Sequence, residues 1–256
     1  MAEDRCPDCG GTGWKIVERE DVSGARPCEC VSRDRSRQLE EHAHIPPLYS
    51  QKSFDNFFTW TDTLLKPEME HLWRHLQEFT RKFPNDCKKR GVLLIGSPGT
   101  GKTHLAVATL RGLLARGNRS VFFDCQKLLT QIHSSYDEAS GSLDRDAHRE
   151  ALETDVLLLD DLGGQRANEW VEDTLNSIIT HRYNHGKGLI ATTNLRDPDA
   201  TDAFGKKRDG GTKDYSRTLS EHIGARARSR LFEMCMVIRM PAIEDYRLRN
   251  SPPLPR

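Results

Sequence analysis

The sequence contains no apolar run long enough to cross a membrane. A helix that spans the hydrocarbon core of a bilayer takes about 20 consecutive apolar residues, whereas apolar runs here, such as residues 92–95 and 156–159, are far shorter. The N-terminus also lacks the charged-then-apolar pattern of a secretory signal. The sequence therefore predicts a cytoplasmic protein that makes no contact with a membrane.

The sequence also lacks an excess of charge of either sign. Its 38 Lys and Arg balance 38 Asp and Glu, which argues against a chain devoted to coating nucleic acid. The distribution is uneven, because residues 1–50 hold 7 basic and 10 acidic side chains whereas residues 201–256 hold 12 and 7. The charge distribution therefore predicts an acidic N-terminal segment suited to a protein partner and a basic C-terminal segment.

A disulfide framework is a third feature that the sequence does not favour, because cytoplasmic thiols stay reduced. Four of the seven cysteines lie within 25 residues: Cys6, Cys9, Cys28 and Cys30. Four thiolates suit tetrahedral zinc, with the strand of a small ribbon between the two pairs. Because the second pair is C-x-C, His42 or His44 is an alternative fourth ligand, and four free thiols are the alternative to zinc.

Short apolar strands alternate with helical periods from about residue 66 onward. The predicted strands are residues 92–95, 121–123, 156–159, 189–193 and 234–240. Apolar strands separated by helices are typical of a parallel sheet that is covered on both faces. The sequence therefore predicts an α/β domain over residues 46–256, preceded by a zinc-binding module with its linker over residues 1–45.

A phosphate-binding loop follows the first predicted strand, since residues 96–103 match G-x-x-x-x-G-K-[ST] at every fixed position. Backbone N–H groups of such a loop face phosphate oxygens, and the positive end of the following helix adds to the attraction. The predicted ATP-binding residues are Gly96, Ser97, Pro98, Gly99, Thr100, Gly101, Lys102 and Thr103. We expect Lys102 to contact the β- and γ-phosphates and the Thr103 hydroxyl to ligate Mg²⁺.

Polar residues follow two further predicted strands, at the sheet edge where ligands bind in α/β proteins. We expect Asp160 to hold Mg²⁺ through water and Asp161 to polarise the attacking water; the alternative is two solvated acids at a strand end. Asn194 follows the strand over residues 189–193, where its amide can reach the attacking water or the γ-phosphate. It is equally suited to starting the turn into Asp197.

Three arginines alternate along a predicted helix over residues 220–232: Arg226, Arg228 and Arg230. At 100° per residue, Arg226 and Arg230 share one face and Arg228 points away from both. From these residues alone, a solvated basic face is favoured over an arginine that enters the site of a neighbouring subunit.

The order of these motifs resembles the AAA+ ATPases, and within them the bacterial replicative-helicase loaders of the DnaC/DnaI type and the related IstB ATPases of insertion sequences. The resemblance covers about residues 46–250, through GSPGTGKT, LLLDDLG, ATTN, GARARSRL and EDYRLR in that order. It implies a three-layer fold with a five-stranded parallel sheet. Only 16 residues follow Met240, so a full C-terminal lid is not expected. Many AAA+ proteins carry Glu where this chain has Asp161, so the implied ATP hydrolysis is modest.

The resemblance also implies roles and partners. It makes Asn194 the first sensor of the nucleotide, Arg230 the arginine finger and Arg247 the second sensor. The implied partners are single-stranded DNA, a hexameric replicative helicase, and further copies of this chain that meet at the ATP site. The N-terminal module is the part expected to bind the helicase. The alternative is an IstB-like ATPase that assists a transposase in selecting target DNA. A small-molecule P-loop kinase explains neither the arginines nor the cysteines.

Overall fold

The computed structural model describes residues 6–19, 22–57, 66–135, 142–197, 218–241 and 245. Within them the strands are β1 (Trp14–Arg19), β2 (Val22–Pro27), β3 (Gly91–Ile95), β4 (Ser120–Asp124), β5 (Val156–Asp160), β6 (Gly188–Thr193) and β7 (Cys235–Arg239). The α-helices are α1 (Glu29–Glu41), α2 (Lys66–Lys82), α3 (Lys102–Ala115), α4 (Cys125–Ser134), α5 (Ser142–Glu153), α6 (Glu169–Asn184), α7 (Leu219–Ile223) and α8 (Ala225–Met234). A short 3-10 helix covers Pro47–Tyr49.

Five of the strands form one parallel sheet in the order β4-β5-β6-β3-β7. Each predicted strand is present, and its ends differ from the prediction by at most one residue. Strands β1 and β2 form a separate antiparallel hairpin. The sheet confirms the predicted α/β fold and places the C-terminal ends of β3, β5 and β6 at one edge.

Apolar side chains of each strand alternate between two cores, one on either face of the sheet. Along β3, Leu93 and Ile95 lie in the core that packs against α4 to α8, whereas Val92 and Leu94 lie in the core that packs against α2 and α3. All four are buried because both faces are covered. The result is the predicted three-layer arrangement of helices, sheet and helices.

The helix predicted over residues 220–232 is two helices, because Gly224 interrupts it. Gly224 has φ of 79°, a left-handed conformation that a helix interior excludes and that favours glycine. A side chain at this position would also collide with Glu172 of α6. The break ends α7 and starts α8, which carries the three arginines.

A buried arginine ties α6 to the sheet. Arg182 is fully buried, and its guanidinium donates hydrogen bonds to five backbone carbonyls at distances of 2.6 to 3.3 Å. The acceptors belong to Ala151, Leu152, Thr154, Asp155 and Gly188. These carbonyls belong to the last turn of α5, the link between α5 and β5, and the first residue of β6, so one side chain from α6 joins these elements.

Helix α1 packs on the α/β domain, although it precedes the expected domain boundary at residue 45. Glu40 of α1 forms an ion pair with Arg111 of α3 at 2.6 Å. Just after the helix, Ala43 is fully buried and its carbonyl accepts a hydrogen bond from the backbone N–H of Phe122 at 2.8 Å. We therefore propose that the boundary lies nearer residue 28, between the hairpin and α1.

Candidate functional site

The phosphate-binding loop leaves β3 and leads directly into α3. Its first residue, Gly96, donates a backbone hydrogen bond to the Thr193 carbonyl of β6 at 3.2 Å, which anchors the loop to the sheet. Gly101 immediately before the helix has φ of 89°, a conformation that favours glycine. The Lys102 ammonium donates to the Ser97 carbonyl at 2.8 Å, so the lysine folds back over the loop as a phosphate-binding lysine must.

A residue from the C-terminal part of the chain lies against this loop. A side chain at Gly99, which has φ of 72°, would overlap the carboxylate and the Cα of Asp245. Five residues earlier in the chain, the Met240 N–H donates to the Ile95 carbonyl of β3 at 2.8 Å. Arg247, the predicted second sensor, lies outside the described residues, so its role stays a prediction.

The two predicted acids lie at the C-terminal end of β5, across from the start of α3. The Thr103 hydroxyl donates to Asp160 at 2.9 Å, so the two predicted Mg²⁺ ligands already meet. Burial raises the pKa of the Asp160 carboxyl, although hydrogen bonds from Thr192 and Thr103 oppose the shift. A hydroxyl beside a half-buried carboxylate is a set of oxygen ligands that fits Mg²⁺, which prefers oxygen.

Asn194 lies beside the second acid. Its side-chain amide donates to Asp161 Oδ1 at 2.8 Å, and Asp161 itself has φ of 58°, an unusual conformation for a residue other than glycine. Of the two alternatives that the sequence left open for Asn194, this contact favours the one at the nucleotide site. The backbone turn at Asp161 aims its carboxylate along the sheet edge toward the asparagine.

Sequence reasoning missed Thr192, which contacts both acids. Its hydroxyl donates to Asp160 Oδ1 at 2.7 Å and accepts from the Asp161 N–H at 2.9 Å. Strand alternation contains a signal for this residue, because residues two apart along a strand share a face and Thr192 lies two residues before Asn194, which directly follows β6. That signal was not sufficient, because alternation along one strand does not show which strand lies next to it in the sheet.

The three arginines of α8 separate as their helical spacing predicts. Arg228 is committed to an internal ion pair with the buried Asp197, at 2.5 Å for each of two nitrogens. Its guanidinium also lies 4.8 Å from the ring centroid of Phe232. Arg226 is exposed and Arg230 half-buried, and the Arg230 guanidinium donates to the Arg226 carbonyl at 3.3 Å.

The four N-terminal cysteines converge. Their Sγ atoms all lie within 4.8 Å of one another, with Cys6 and Cys28 at 3.8 Å and Cys9 and Cys30 at 3.5 Å. Ligands of tetrahedral zinc at about 2.3 Å from the metal lie about 3.8 Å apart, so this donor set fits zinc. The alternative histidine ligands contact other groups: His42 Nδ1 lies 2.7 Å from the Gln38 carbonyl, and His44 Nε2 lies 2.9 Å from Glu150. Cys30 is therefore the fourth member of the cluster.

The environment of the cluster favours at least one thiolate. Burial raises the pKa of the Cys9 thiol, but hydrogen bonds with the backbone at Gly13 and Gly11 and with the Cys30 and Cys28 sulfurs outweigh it and lower that pKa to about 6. Hydrogen bonds with Cys28 and Cys9 raise the pKa of Cys30 to about 12. A lowered pKa at Cys9 favours its thiolate, which is the form of cysteine that binds a metal.

Comparison with known proteins places this site in a family. The family model described as "IstB-like ATP binding protein" matches residues 29–207. YqaM of Bacillus subtilis, described as uncharacterized, is 25% identical over 201 residues, which are 75% of this chain and 62% of YqaM. The replicative helicase loader DnaC of Escherichia coli K12 is 22% identical over 192 residues, which are 73% of this chain and 75% of DnaC. A crystal structure of the DnaC helicase loader matches with a TM-score of 0.60 and 28% identity, over 76% of this chain and 99% of that chain.

The helices in the described part of the chain are too short or too polar to cross a membrane.

Proposed function

The chain belongs to the IstB-like ATP-binding proteins, with an AAA+ ATPase fold, and we propose that it hydrolyses ATP to load a hexameric replicative helicase onto single-stranded DNA. The observation that carries the proposal is the likeness to the DnaC helicase loader, which at 28% identity extends over 99% of that chain. The hydrogen-bonded set of Thr103, Asp160, Asp161 and Asn194 supports the ATPase part.

Each residue of the site has a role in the proposed hydrolysis. Lys102 leaves the Ser97 carbonyl and neutralises the phosphate oxygens, while N–H groups of the loop hold the remaining oxygens. Asp161 accepts a proton from the attacking water, and Asn194 orients that carboxylate through its amide. Asp160 and Thr103 are the residues that would hold Mg²⁺. The bound ion would neutralise charge on the phosphates.

Arg230 is proposed to complete the site of a neighbouring copy of the chain. Arg228 forms an ion pair with the buried Asp197 and is therefore unavailable to another subunit. Arg226 and Arg230 lie on a different face of α8 from Arg228. A guanidinium that arrives only on assembly would stabilise the transition-state charge and make hydrolysis depend on oligomerisation.

We expect the cysteine cluster to bind about one equivalent of zinc, because four thiols already meet at the required separation. Chelation should raise hydrogen exchange in the β1–β2 hairpin and leave the ATPase sheet protected, since the ribbon is too small to have a core of its own. Elemental analysis of Cys9→Ser should show most of the zinc lost, whereas Cys87→Ser, outside the cluster, should retain it. Less than about half an equivalent in wild-type protein purified without chelator would contradict the site.

The hairpin presents an apolar face that suits a protein partner. Trp14 is 56% exposed and Ile16 is 79% exposed, and the residues directly opposite them on β2 are Pro27 and Ala25, both exposed. Directly opposed residues of an antiparallel pair project from the same face of the hairpin. We propose that this face, which we call the ribbon face, docks on the helicase.

Replacing Trp14 and Ile16 together by serine is expected to weaken binding to the replicative helicase of the same organism by about tenfold or more, because aromatic and aliphatic anchors dominate such interfaces. The control is Leu48→Ser, which removes an equally exposed apolar side chain, 76% exposed, outside the hairpin. Binding is measured by co-purification and titration with and without ATP. Substitution is preferable to removing residues 1–45, since that truncation would uncover the core around Ala43.

Three outcomes of this experiment decide between the candidate functions. Binding lost only in the double variant supports the loader with the ribbon face as its docking site, and equal loss in Leu48→Ser overturns that docking site. A wild-type chain that binds no helicase under any nucleotide condition contradicts the loader. In that case, stimulation of the ATPase by duplex rather than single-stranded DNA would favour the transposase helper.

A further inference from the structure

Thr192 occupies a central position between the two halves of the nucleotide site. Strand β6 lies between β5, which ends at Asp160, and β3, which leads into the phosphate-binding loop. Thr192 is 1% exposed and lies one residue beyond Ala191, which pairs with Leu159 of β5. Its side chain therefore lies at the level where β5 delivers its acids.

The donor and the acceptor in each of the two hydrogen bonds of the Thr192 hydroxyl can be assigned. The Asp161 N–H at 2.9 Å can only donate, so the hydroxyl oxygen accepts there and its single proton is left for Asp160 Oδ1 at 2.7 Å. A proton donated to this oxygen favours the ionised form of Asp160 and opposes the effect of burial on its pKa. One hydroxyl thus orients the carboxylate of the first acid and the backbone of the second.

The backbone turn at the second acid depends on the same residue. Asp161 adopts φ of 58°, which a non-glycine residue keeps only where its surroundings hold it. The Thr192 hydroxyl binds its N–H, and the Thr192 carbonyl accepts from the next N–H, that of Leu162, at 2.7 Å. Thr192 therefore binds the N–H groups on either side of the Asp161 Cα, and these two peptide groups set the direction of the Asp161 side chain.

We infer that Thr192 is a positioning residue for ATP hydrolysis. Its single hydroxyl orients both the Asp160 carboxylate that would bind Mg²⁺ and the Asp161 carboxylate that would activate the attacking water. The inference rests on the proposed ATPase function. It predicts that removing the hydroxyl impairs two measurable properties together: the Mg²⁺ dependence of nucleotide binding and the turnover number.

The neighbouring Thr193 provides a matched control. It is also fully buried, but its side chain points to the other face of β6, where its hydroxyl donates to the Leu162 carbonyl at 2.7 Å and accepts from the Leu195 N–H at 3.1 Å. Thr193→Val removes a buried hydroxyl from the same strand without removing a contact to either acid. Thr192→Ser keeps the hydroxyl and removes only a methyl group.

The experiment compares wild type, Thr192→Val, Thr192→Ser and Thr193→Val in the full chain, at a temperature where circular dichroism shows all four folded. Mg²⁺-dependent binding of a fluorescent ATP analogue and steady-state ATPase are measured. Thr192→Val is expected to raise the half-saturating Mg²⁺ concentration and lower kcat, each by about 10- to 100-fold, as loss of an outer-shell partner does in metal sites. Thr192→Ser and Thr193→Val should stay within about threefold of wild type on both measures.

Equal behaviour of Thr192→Val and Thr193→Val would overturn the inference, as would failure of Thr192→Ser to restore wild-type values. The wild-type chain tests the proposed function separately. If it binds the nucleotide but does not hydrolyse it, the ATPase proposal fails, and the Mg²⁺ dependence of binding still decides the role of Thr192. A wild-type chain that binds no nucleotide would overturn both.

Discussion

Replacing Arg182 by methionine is expected to lower the free energy of unfolding by about 3–5 kcal/mol, because buried backbone carbonyls lose their hydrogen-bond donor. The methionine fills part of the volume but donates no hydrogen bond. The carbonyls of Ala151, Thr154 and Gly188 would lose this donor in a buried site, and each buried carbonyl left unsatisfied costs about 1–3 kcal/mol. Urea denaturation followed by circular dichroism measures the effect.

Arg90→Met is the control for this prediction. Arg90 is exposed and donates to one carbonyl, that of Gly186, at 3.0 Å, so its loss should cost less than about 1 kcal/mol because water replaces the donor. If Arg182→Met and Arg90→Met lowered the free energy of unfolding equally, the buried carbonyls would not depend on the Arg182 guanidinium.

Asp161→Asn is expected to reduce ATP hydrolysis by about 10²-fold or more while leaving ATP binding within about threefold, because a general base contributes about 10²- to 10⁴-fold. Asparagine has the size of aspartate and tolerates the left-handed conformation of this position, so the fold is not strained. It cannot accept the proton of the attacking water. Turnover and binding of a fluorescent ATP analogue are measured on the same preparation.

Asp124→Asn provides the comparison for the catalytic acid. Asp124 ends the neighbouring strand β4 at the same sheet edge, but its carboxylate caps α4 by accepting from the Lys127 N–H at 2.9 Å. We expect its substitution to lower stability slightly and leave turnover nearly unchanged. A loss of less than about tenfold in Asp161→Asn would assign activation of the water to another residue.

Local patterns in the sequence were sufficient for the elements of the ATPase domain. Short apolar runs between helical periods mark strands covered on both faces, and this reasoning placed all five strands to within one residue. It was not sufficient for the helix over residues 220–232, because a single glycine is tolerated in many helices. Here the approach of Glu172 of α6 to Gly224 accompanies the break, and only the tertiary structure contains that contact.

The same distinction applies to the N-terminal segment. Cysteine spacing was enough to predict a four-thiol cluster, but it left Cys30, His42 and His44 as alternative ligands. The fold favours Cys30 as the fourth ligand, because α1 begins at Glu29 and extends toward the ATPase domain. Both histidines lie beyond that helix and have other partners, so Cys30 remains with the cluster.

The sequence by itself determined the phosphate-binding loop, the acid pair and the cysteine cluster, because each depends on residue types at short, fixed spacings. The tertiary structure alone decided which groups meet across strands: Asn194 with Asp161, and Thr192 with both acids. Strand order causes this difference. Strands β5 and β6 are separated in sequence by α6 yet adjacent in the sheet, and adjacency depends on packing of the whole domain rather than on any local pattern.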